Sequence, residues 1–367
     1  MQGKMTTLKH QDLRSKAISR VRSLRAARSW AQRTTPPIVS STKCVSPEHV
    51  QRAGRTNRSA SLQGMVVQGA MAILLGLWLS GCQSPTSEEK GKPRVVSTST
   101  IIADLTQRIG EDEIQHQGIL QPGADPHIYE PVPADSVAFE KADLIFYNGY
   151  NLEPGLIKLM NAAVVNAKKF PVAEEIAPLD FDYDGQKVPD PHVWGNAANG
   201  IKMVNAIRDE LIALSPEDKD KFTANAAKLT AELESLHDWI LEEIATIPAS
   251  KRKLVTTHDA FQYYTNAYGL EIIGTLIGIS TEEQPSAKTV KNLADRIKAS
   301  GVPAIFAETT INPTLIKAVA EEAGVKLAPE ELYSDSIGAP GSEGDSYVKM
   351  LRFNTKTIVE ALKAVDS

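Results

Sequence analysis

From residue 94 onward, short apolar runs alternate with longer stretches in which apolar residues recur every three or four positions. The short runs predict β-strands, and the longer stretches predict amphipathic helices. In the first block, strands are predicted at 94–97, 113–120 and 143–147, and helices at 100–109, 134–141 and 156–167. This repeat favours a parallel sheet that carries ligand-binding loops at the carboxyl ends of its strands.

A second block repeats the alternation after residue 253. Strands are predicted at 253–257, 271–276, 304–307 and 324–327, and helices at 260–268, 286–299, 314–323 and 346–364. Two such blocks predict an α/β protein with two lobes, each built on a parallel sheet that is flanked by helices.

A long helix is predicted between the two blocks. Ser215-Pro216-Glu217-Asp218 is typical of a helix start, with Ser215 as the N-cap. Beyond it, apolar residues at spacings of three and four form one helix face: Phe222, Ala226, Leu229, Leu233, Leu236, Ile240 and Ile244. We interpret 215–247 as a rigid connection between an N-terminal lobe at 94–214 and a C-terminal lobe at 248–367. Its helix of about 30 residues would be roughly 45 Å long, at 1.5 Å per residue. The alternative is an ordinary long surface helix.

The residues before position 94 are interpreted as targeting sequence. Residues 1–64 contain 13 Lys and Arg against 2 Asp and Glu, and they are interpreted as a basic disordered leader or as the product of a wrongly assigned start. The uncharged run at 65–80 fits a signal-peptide core better than a membrane span. Leu79-Ser80-Gly81-Cys82 follows and resembles the lipobox of bacterial lipoproteins, which predicts a signal peptide at 65–82 and lipidation at Cys82. Residues 83–93 form a polar tether; the alternative is a short transmembrane anchor that ends in a chance cysteine.

Charge narrows the choice of partners. The chain has 40 Lys and Arg and 45 Asp and Glu, so the part after residue 64 carries a net charge of about −16. Such an acidic body argues against nucleic acid and suits a cationic ligand, although a merely soluble acidic surface fits as well. The two cysteines are Cys44 and Cys82, so the folded part is predicted to lack both a disulfide framework and a Cys-type zinc site.

Four of the seven histidines are not candidates for a site. His10 and His49 lie in the leader. His116 lies within a predicted strand and His237 on the long helix, so both are interpreted as packing or surface residues.

The other three histidines occupy loops that restrict the backbone. His127 and His192 are each the last residue of an Asp-Pro-His tripeptide in a proline-rich loop. His258 follows a predicted strand, and Asp335 lies in a comparable loop of the second block. We expect these four side chains to meet in the cleft between the lobes and to bind a metal ion.

Five motifs, in their order and spacing, resemble the metal-specific solute-binding proteins of ABC transporters, solute-binding family 9, which handle zinc and manganese. The motifs are Pro-Gly-Ala-Asp-Pro-His-Ile-Tyr-Glu-Pro at 122–131, Asp-Pro-His-Val-Trp at 190–194, Thr-Thr-His-Asp-Ala-Phe-Gln-Tyr at 256–263, Ile-Phe-Ala-Glu-Thr-Thr at 305–310 and Leu-Tyr-Ser-Asp-Ser at 332–336. The resemblance covers about 94–365. It implies a buried metal between two α/β lobes, with ligands at His127, His192, His258 and Asp335.

The resemblance leaves the metal open between manganese and zinc. Manganese-specific members often carry Glu where this chain has His258, and many zinc-specific members carry a His-rich loop where residues 177–189 have no histidine. Three imidazoles and one carboxylate suit tetrahedral zinc, which also outcompetes manganese by the usual affinity order. Coordination through both oxygens of Asp335 would make manganese reasonable.

Glu308 follows the predicted strand at 304–307, and two roles are open for it. Its carboxylate either hydrogen-bonds a ligand histidine on the side that faces away from the metal, or it caps the helix predicted at 312–323.

The sequence thus predicts a metal-capturing binding protein that is not an enzyme. It would bind one divalent ion as the transported ligand and deliver it to an ABC transporter permease with its ATPase. It would act as a monomer, anchored through Cys82 to the periplasmic or extracellular face of the cytoplasmic membrane. Two alternatives are a surface adhesin with a structural metal and a zinc-dependent hydrolase. A hydrolase is disfavoured because no His-Glu-x-x-His occurs and a four-residue shell leaves no open position.

Overall fold

The computed structural model describes residues 91–162, 165–183 and 186–363. The leader at 1–64, the signal peptide with Cys82 and all but the last three residues of the tether lie outside the described residues. No helix within the described ranges combines the length and the apolar character that crossing a bilayer requires.

The first half of the described chain is built on a four-stranded sheet. Its elements are β1 (Arg94–Ser97), α1 (Thr100–Gly110), β2 (Gln115–Gly118), α2 (Pro133–Lys141), β3 (Leu144–Tyr147), α3 (Pro154–Ala162) and β4 (Lys168–Pro171). The strand order is β2-β1-β3-β4, and every neighbouring pair is parallel. The carboxyl ends of the strands therefore share one edge, from which the loops after β2 and β3 extend.

Three details of this half differ from the sequence prediction. The helix expected at 156–167 is Pro154–Ala162, and the following strand β4 was not predicted. An antiparallel hairpin of β5 (Asp180–Tyr183) and β6 (Gln186–Pro189) was also missed. β4 lies at the sheet edge and begins with two lysines, so its pairing with β3 decides its structure rather than its own β-propensity.

Two long helices follow, α4 (Ala197–Leu214) and α5 (Lys219–Ala245). The seven apolar positions that the sequence placed on one face of α5 are all buried. The predicted N-cap is wrong in detail because a 3₁₀ turn, Pro216–Asp218, precedes the 27-residue helix. The Ser215 hydroxyl donates to the Asp218 carboxylate at 2.6 Å and does not cap the backbone.

The second half contains two parallel pairs of strands. Its elements are β7 (Lys253–Thr256), α6 (Gln262–Tyr268), β8 (Glu271–Thr275), α7 (Ala287–Ser300), β9 (Ala304–Ile305), α8 (Thr314–Ala323), β10 (Lys326–Leu327) and α9 (Tyr347–Lys363). β7 pairs with β8, and β9 pairs with β10. The Phe306 backbone N–H donates to the Val255 carbonyl at 3.0 Å and joins the two pairs side by side.

Helix α5 connects the two halves through a shared core. It packs against α1, α4 and α9, and one cluster of buried apolar residues draws on all four helices. The predicted fold class is confirmed: parallel sheets flanked by helices, with one long helix between them. The exact lobe boundaries, 94–214, 215–247 and 248–367, stay a prediction.

We expect Leu233→Ala on the buried face of α5 to lower the free energy of unfolding by roughly 2–5 kcal/mol. Leu233 is fully buried, and truncation both removes transfer energy and leaves a cavity. Denaturant unfolding measures the effect. Leu241 lies on the same helix but is 40% exposed, so Leu241→Ala should change stability by about 0.5 kcal/mol or less. Equal losses in the two variants would contradict the assignment of the buried face.

Candidate metal centre

The structure brings His127, His192, His258 and Asp335 together. Each of them is buried, and each offers one nitrogen or oxygen atom within 4.8 Å of the others. His127 Nε2 lies 3.2 Å from His192 Nε2. The Asp335 oxygens lie 3.1 Å from His258 Nε2, 3.5 Å from His192 Nε2 and 3.6 Å from His127 Nε2. All three imidazoles therefore present the same ring nitrogen to one carboxylate.

Both Asp-Pro-His tripeptides form the same local turn. Asp125 Oδ1 accepts a hydrogen bond from the His127 backbone N–H at 2.9 Å, and Asp190 Oδ1 accepts one from the His192 backbone N–H at 2.9 Å. A carboxylate that binds the backbone two residues ahead makes an Asx turn, and the proline between them fixes the backbone. The tripeptide is thus a device for holding a histidine in one orientation.

The orientation of His192 also depends on Asp190. The same Oδ1 atom lies 2.8 Å from His192 Nδ1. A carboxylate accepts there, so Nδ1 carries the proton and the unprotonated Nε2 turns its lone pair toward the centre.

Glu308 orients His258 as Asp190 orients His192. Its Oε1 atom accepts from the His258 backbone N–H at 2.8 Å, and its Oε2 atom contacts His258 Nδ1. The neighbouring strands β7 and β9 bring the two residues together, because each lies just beyond the end of its strand. The alternative role is not observed, since Asn312 Oδ1 accepts from the Thr314 backbone N–H at the start of α8.

Three atoms at the centre of the cluster have no hydrogen-bond partner within the part of the chain that the structure describes. Both Asp335 oxygens and His258 Nε2 are buried without a hydrogen-bond partner among the described residues, although they lie close to each other. Unpaired buried polar atoms of this kind cost about 1–3 kcal/mol each. A cation among them would supply the missing partner for every inward lone pair.

The pKa values follow from burial and from the neighbouring charges. Burial lowers the pKa of His127 to about 3 and keeps this imidazole neutral. Burial also acts to lower the pKa of His258, but Glu308 and Asp335 outweigh it and raise this pKa well above 6.5. Burial acts to raise the pKa of Asp335, but His258 and the other two imidazoles hold it below its usual range. Without a metal, a proton on His258 therefore takes the place of the cation.

The two remaining described histidines have packing roles, in agreement with the sequence interpretation. His116 lies 2.9 Å from Ser97 Oγ, and burial lowers its pKa to about 4. His237 Nδ1 lies 3.1 Å from the Tyr268 hydroxyl. His10 and His49 lie outside the described residues.

Sequence reasoning missed several residues that support the site. Asp125 and Asp190 were not singled out, although their place in a repeated tripeptide was the available signal. Asn148, at the end of β3, donates to the Pro191 carbonyl at 3.0 Å. The Trp194 indole N–H donates to the Ser334 carbonyl at 2.9 Å, one residue before Asp335.

A cavity of about 750 Å³ borders the centre. Of the four clustered residues, His127 is the one that lines it, together with Tyr150, Ile157 and Pro191. His127 therefore stands between the cavity and the other three residues.

Comparisons with known proteins show which family the chain belongs to. A family model described as "ZnuA: Zinc-uptake complex component A periplasmic" matches residues 95–361. The metal ABC transporter substrate-binding lipoprotein FimA of Streptococcus parasanguinis is 35% identical over 299 residues, which are 80% of this chain and 96% of the relative. The manganese ABC transporter substrate-binding lipoprotein PsaA of Streptococcus pneumoniae is 35% identical over 298 residues, 79% of this chain and 95% of the relative.

Solved structures of metal-binding proteins have a similar overall fold. The periplasmic zinc binding protein TroA from Treponema pallidum superposes with a TM-score of 0.71 at 33% identity, covering 75% of this chain and all of that one. A manganese-bound periplasmic metal binding protein from Candidatus Liberibacter asiaticus gives a TM-score of 0.67 at 26% identity, with coverage of 74% and 100%.

We expect metal binding near pH 7 to release about one proton per ion, because a metal must displace the proton from His258. Affinity should then fall about tenfold for each unit by which the pH drops below the raised pKa of His258. Calorimetric zinc titration in two buffers with different ionisation enthalpies measures the released protons. Glu308→Gln removes a carboxylate that raises this pKa, so it should reduce proton release. A binding enthalpy that is independent of the buffer would contradict the assignment.

Proposed function

Because the chain belongs to the ZnuA family of periplasmic zinc-uptake components, we propose that it captures a divalent metal ion outside the cytoplasm and delivers it to an ABC transporter. The observation that carries the proposal is the buried group of three Nε2 atoms and one carboxylate, all facing one point. The protein is a binding protein and not an enzyme.

His127, His192 and His258 would bind the ion through Nε2, and Asp335 through its carboxylate. Ligands at about 2.0–2.1 Å from a tetrahedral zinc ion lie about 3.3–3.4 Å from one another. The four distances given above, 3.1, 3.2, 3.5 and 3.6 Å from the nearer Asp335 oxygen or between two imidazoles, scatter around that value. The site thus has the size of one ion. Asp190 would orient His192, and Glu308 would orient His258, each by a hydrogen bond to the Nδ1 atom that faces away from the ion.

Either zinc or manganese fits this donor set. Three nitrogen donors favour zinc, and the named relatives include both a manganese and a zinc protein. Both Asp335 oxygens face the centre, so bidentate coordination is available, and it would supply the fifth donor that suits manganese.

The metal is proposed as cargo rather than as a structural support. The large apolar core around α5 is assembled from helices and does not include the four ligand residues. The fold therefore has its own source of stability, which disfavours an adhesin stabilised by a structural metal. A zinc-dependent hydrolase is disfavoured as well, because all four donors belong to the protein.

Delivery requires a membrane permease and its ATPase as partners, which is how substrate-binding proteins of ABC transporters work. We further infer that the protein is a monomer and that a lipid on Cys82 holds it at the outer face of the cytoplasmic membrane. The similarity to FimA and PsaA supports the anchor, since both of those proteins are called lipoproteins.

Removal of one ligand is the direct test. His127→Ala and His258→Ala should each weaken zinc and manganese binding by more than about 100-fold, which exceeds the 10–100-fold effect typical of residues behind the ligands. Competitive titration against a metal-indicator dye measures the affinity, and circular dichroism checks that the metal-free variants stay folded. His237→Ala is the matched control, because His237 contacts Tyr268 away from the cluster. Wild-type affinity in His127→Ala would refute the proposed site.

A second substitution tests the choice of metal. His258→Glu should shift the ratio of the zinc and manganese dissociation constants toward manganese by about tenfold or more, because oxygen is a harder donor than imidazole nitrogen. The new carboxylate would face Glu308, so the variant is best paired with Glu308→Gln, which removes the repulsion between two buried carboxylates. An unchanged ratio in the double variant would show that His258 does not determine selectivity.

A further inference from the structure

The segment that carries His192 is fixed along its length. The Tyr263 hydroxyl donates to the Asp190 carbonyl at 3.0 Å, and Asn148 donates to the Pro191 carbonyl at 3.0 Å. The Tyr347 hydroxyl donates to the Trp194 carbonyl at 2.6 Å. Because these bonds come from both halves of the chain, His192 cannot move without breaking several of them.

His258 and Asp335 are fixed as well. Glu308 binds both the backbone N–H and the ring of His258. Asp335 follows Ser334, whose carbonyl accepts from Trp194, and Leu332, which forms a β-bridge with Glu308. Three of the four proposed ligands therefore form one rigid group.

His127 is attached differently. It lies in a segment without helix or strand, residues 119–132, between β2 and α2. It also lines the cavity beside the site. An ion that passes between the cavity and the rigid group must pass His127, so the position of this segment controls exchange.

Two hydrogen bonds tie the His127 segment to the second half of the chain. The Thr281 hydroxyl donates to Asp125 Oδ2 at 2.7 Å. The Gly123 backbone N–H donates to the Ser336 hydroxyl oxygen at 2.8 Å. Asp125 is the residue whose other oxygen forms the His127 turn, so one buried carboxylate joins Thr281 to the ligand.

We propose that Thr281 is a positioning residue, whose hydroxyl holds His127 over the bound ion through Asp125 and thereby sets how long the ion stays. This inference rests on the proposed function. Thr281 is half-buried in the segment 276–286 between β8 and α7, which has no helix or strand. We call the position seen here, in which the segment holds His127 against the other three residues, the closed position. The Thr281 hydroxyl therefore stabilises this closed position and does not contribute to the packing of a core element.

The physical reason concerns the partner of Asp125. With Thr281 in place, Asp125 Oδ2 is hydrogen-bonded when the segment is closed. Without the hydroxyl, closure buries an unpaired carboxylate oxygen, whereas opening exposes it to water. Removing the hydroxyl therefore shifts the population toward the open position without touching a metal ligand.

The test is the dissociation rate of zinc from the purified full chain. Thr281→Val removes the hydroxyl and keeps the branched shape. Protein loaded with one zinc ion is mixed with excess chromogenic chelator in a stopped-flow instrument. We expect zinc to dissociate about tenfold faster, equivalent to about 1.4 kcal/mol. The thermal unfolding midpoint of the metal-free protein should fall by no more than about 5 °C, the shift that this loss gives in a protein of this size.

Two further variants separate positioning from a general effect on the segment. Thr281→Ser keeps a hydroxyl and should restore slow dissociation. Ser280→Ala removes the neighbouring hydroxyl, which accepts a 3.4 Å hydrogen bond from the Glu282 backbone within the same segment, and should dissociate zinc at the wild-type rate.

Each contrary result has a distinct meaning. Wild-type dissociation from Thr281→Val would overturn the positioning role while the proposed function stands. Equal acceleration in Thr281→Ser or Ser280→Ala would also overturn it, and so would a fall in the metal-free unfolding midpoint of Thr281→Val well beyond about 5 °C. A wild-type chain that binds neither zinc nor manganese would instead overturn the proposed function.

Discussion

Three buried imidazoles converge on one buried carboxylate, and this unfavourable arrangement is the constraint on which the site depends. Without a cation, the imidazole of His258 carries a proton and lies between the carboxylates of Asp335 and Glu308. Its positive charge then stabilises the buried charge of Asp335. The surroundings oppose any relaxation, because Asp190 and Glu308 bind the far side of their imidazoles. The proposed ligands thus keep their geometry without an ion, so an ion bound there would replace a proton rather than organise a loose set of side chains.

This rigidity is built from the topology of the sheets. Parallel strands end at a common edge, and β7 and β9 lie side by side, so His258 and Glu308 become neighbours although fifty positions separate them in sequence. The first half contributes stiffness by another route, through two Asx turns with proline in the middle. Strand ends in the second half and proline turns in the first half thus both fix the orientation of histidine side chains.

The sequence predicted what depends on local pattern. The buried face of α5 follows from spacing alone, and the four clustered residues were recognisable because prolines or strand ends hold them. The edge strand β4 was missed because its structure comes from pairing with β3. The bond between Asp125 and Thr281 joins residues that are 156 positions apart, and nothing in either local sequence indicates it. Side-chain partners across the fold were therefore beyond sequence reasoning.

The shared core around α5 also limits the scale of any movement. A helix that buries one face against elements of both halves cannot act as a loose joint, because wide separation of the halves would expose apolar surface. The exchange proposed above needs no such separation, because it would displace one imidazole and its segment. A stiff frame of this kind therefore suits a single ion as cargo better than a sugar or a peptide, which would need a wider opening.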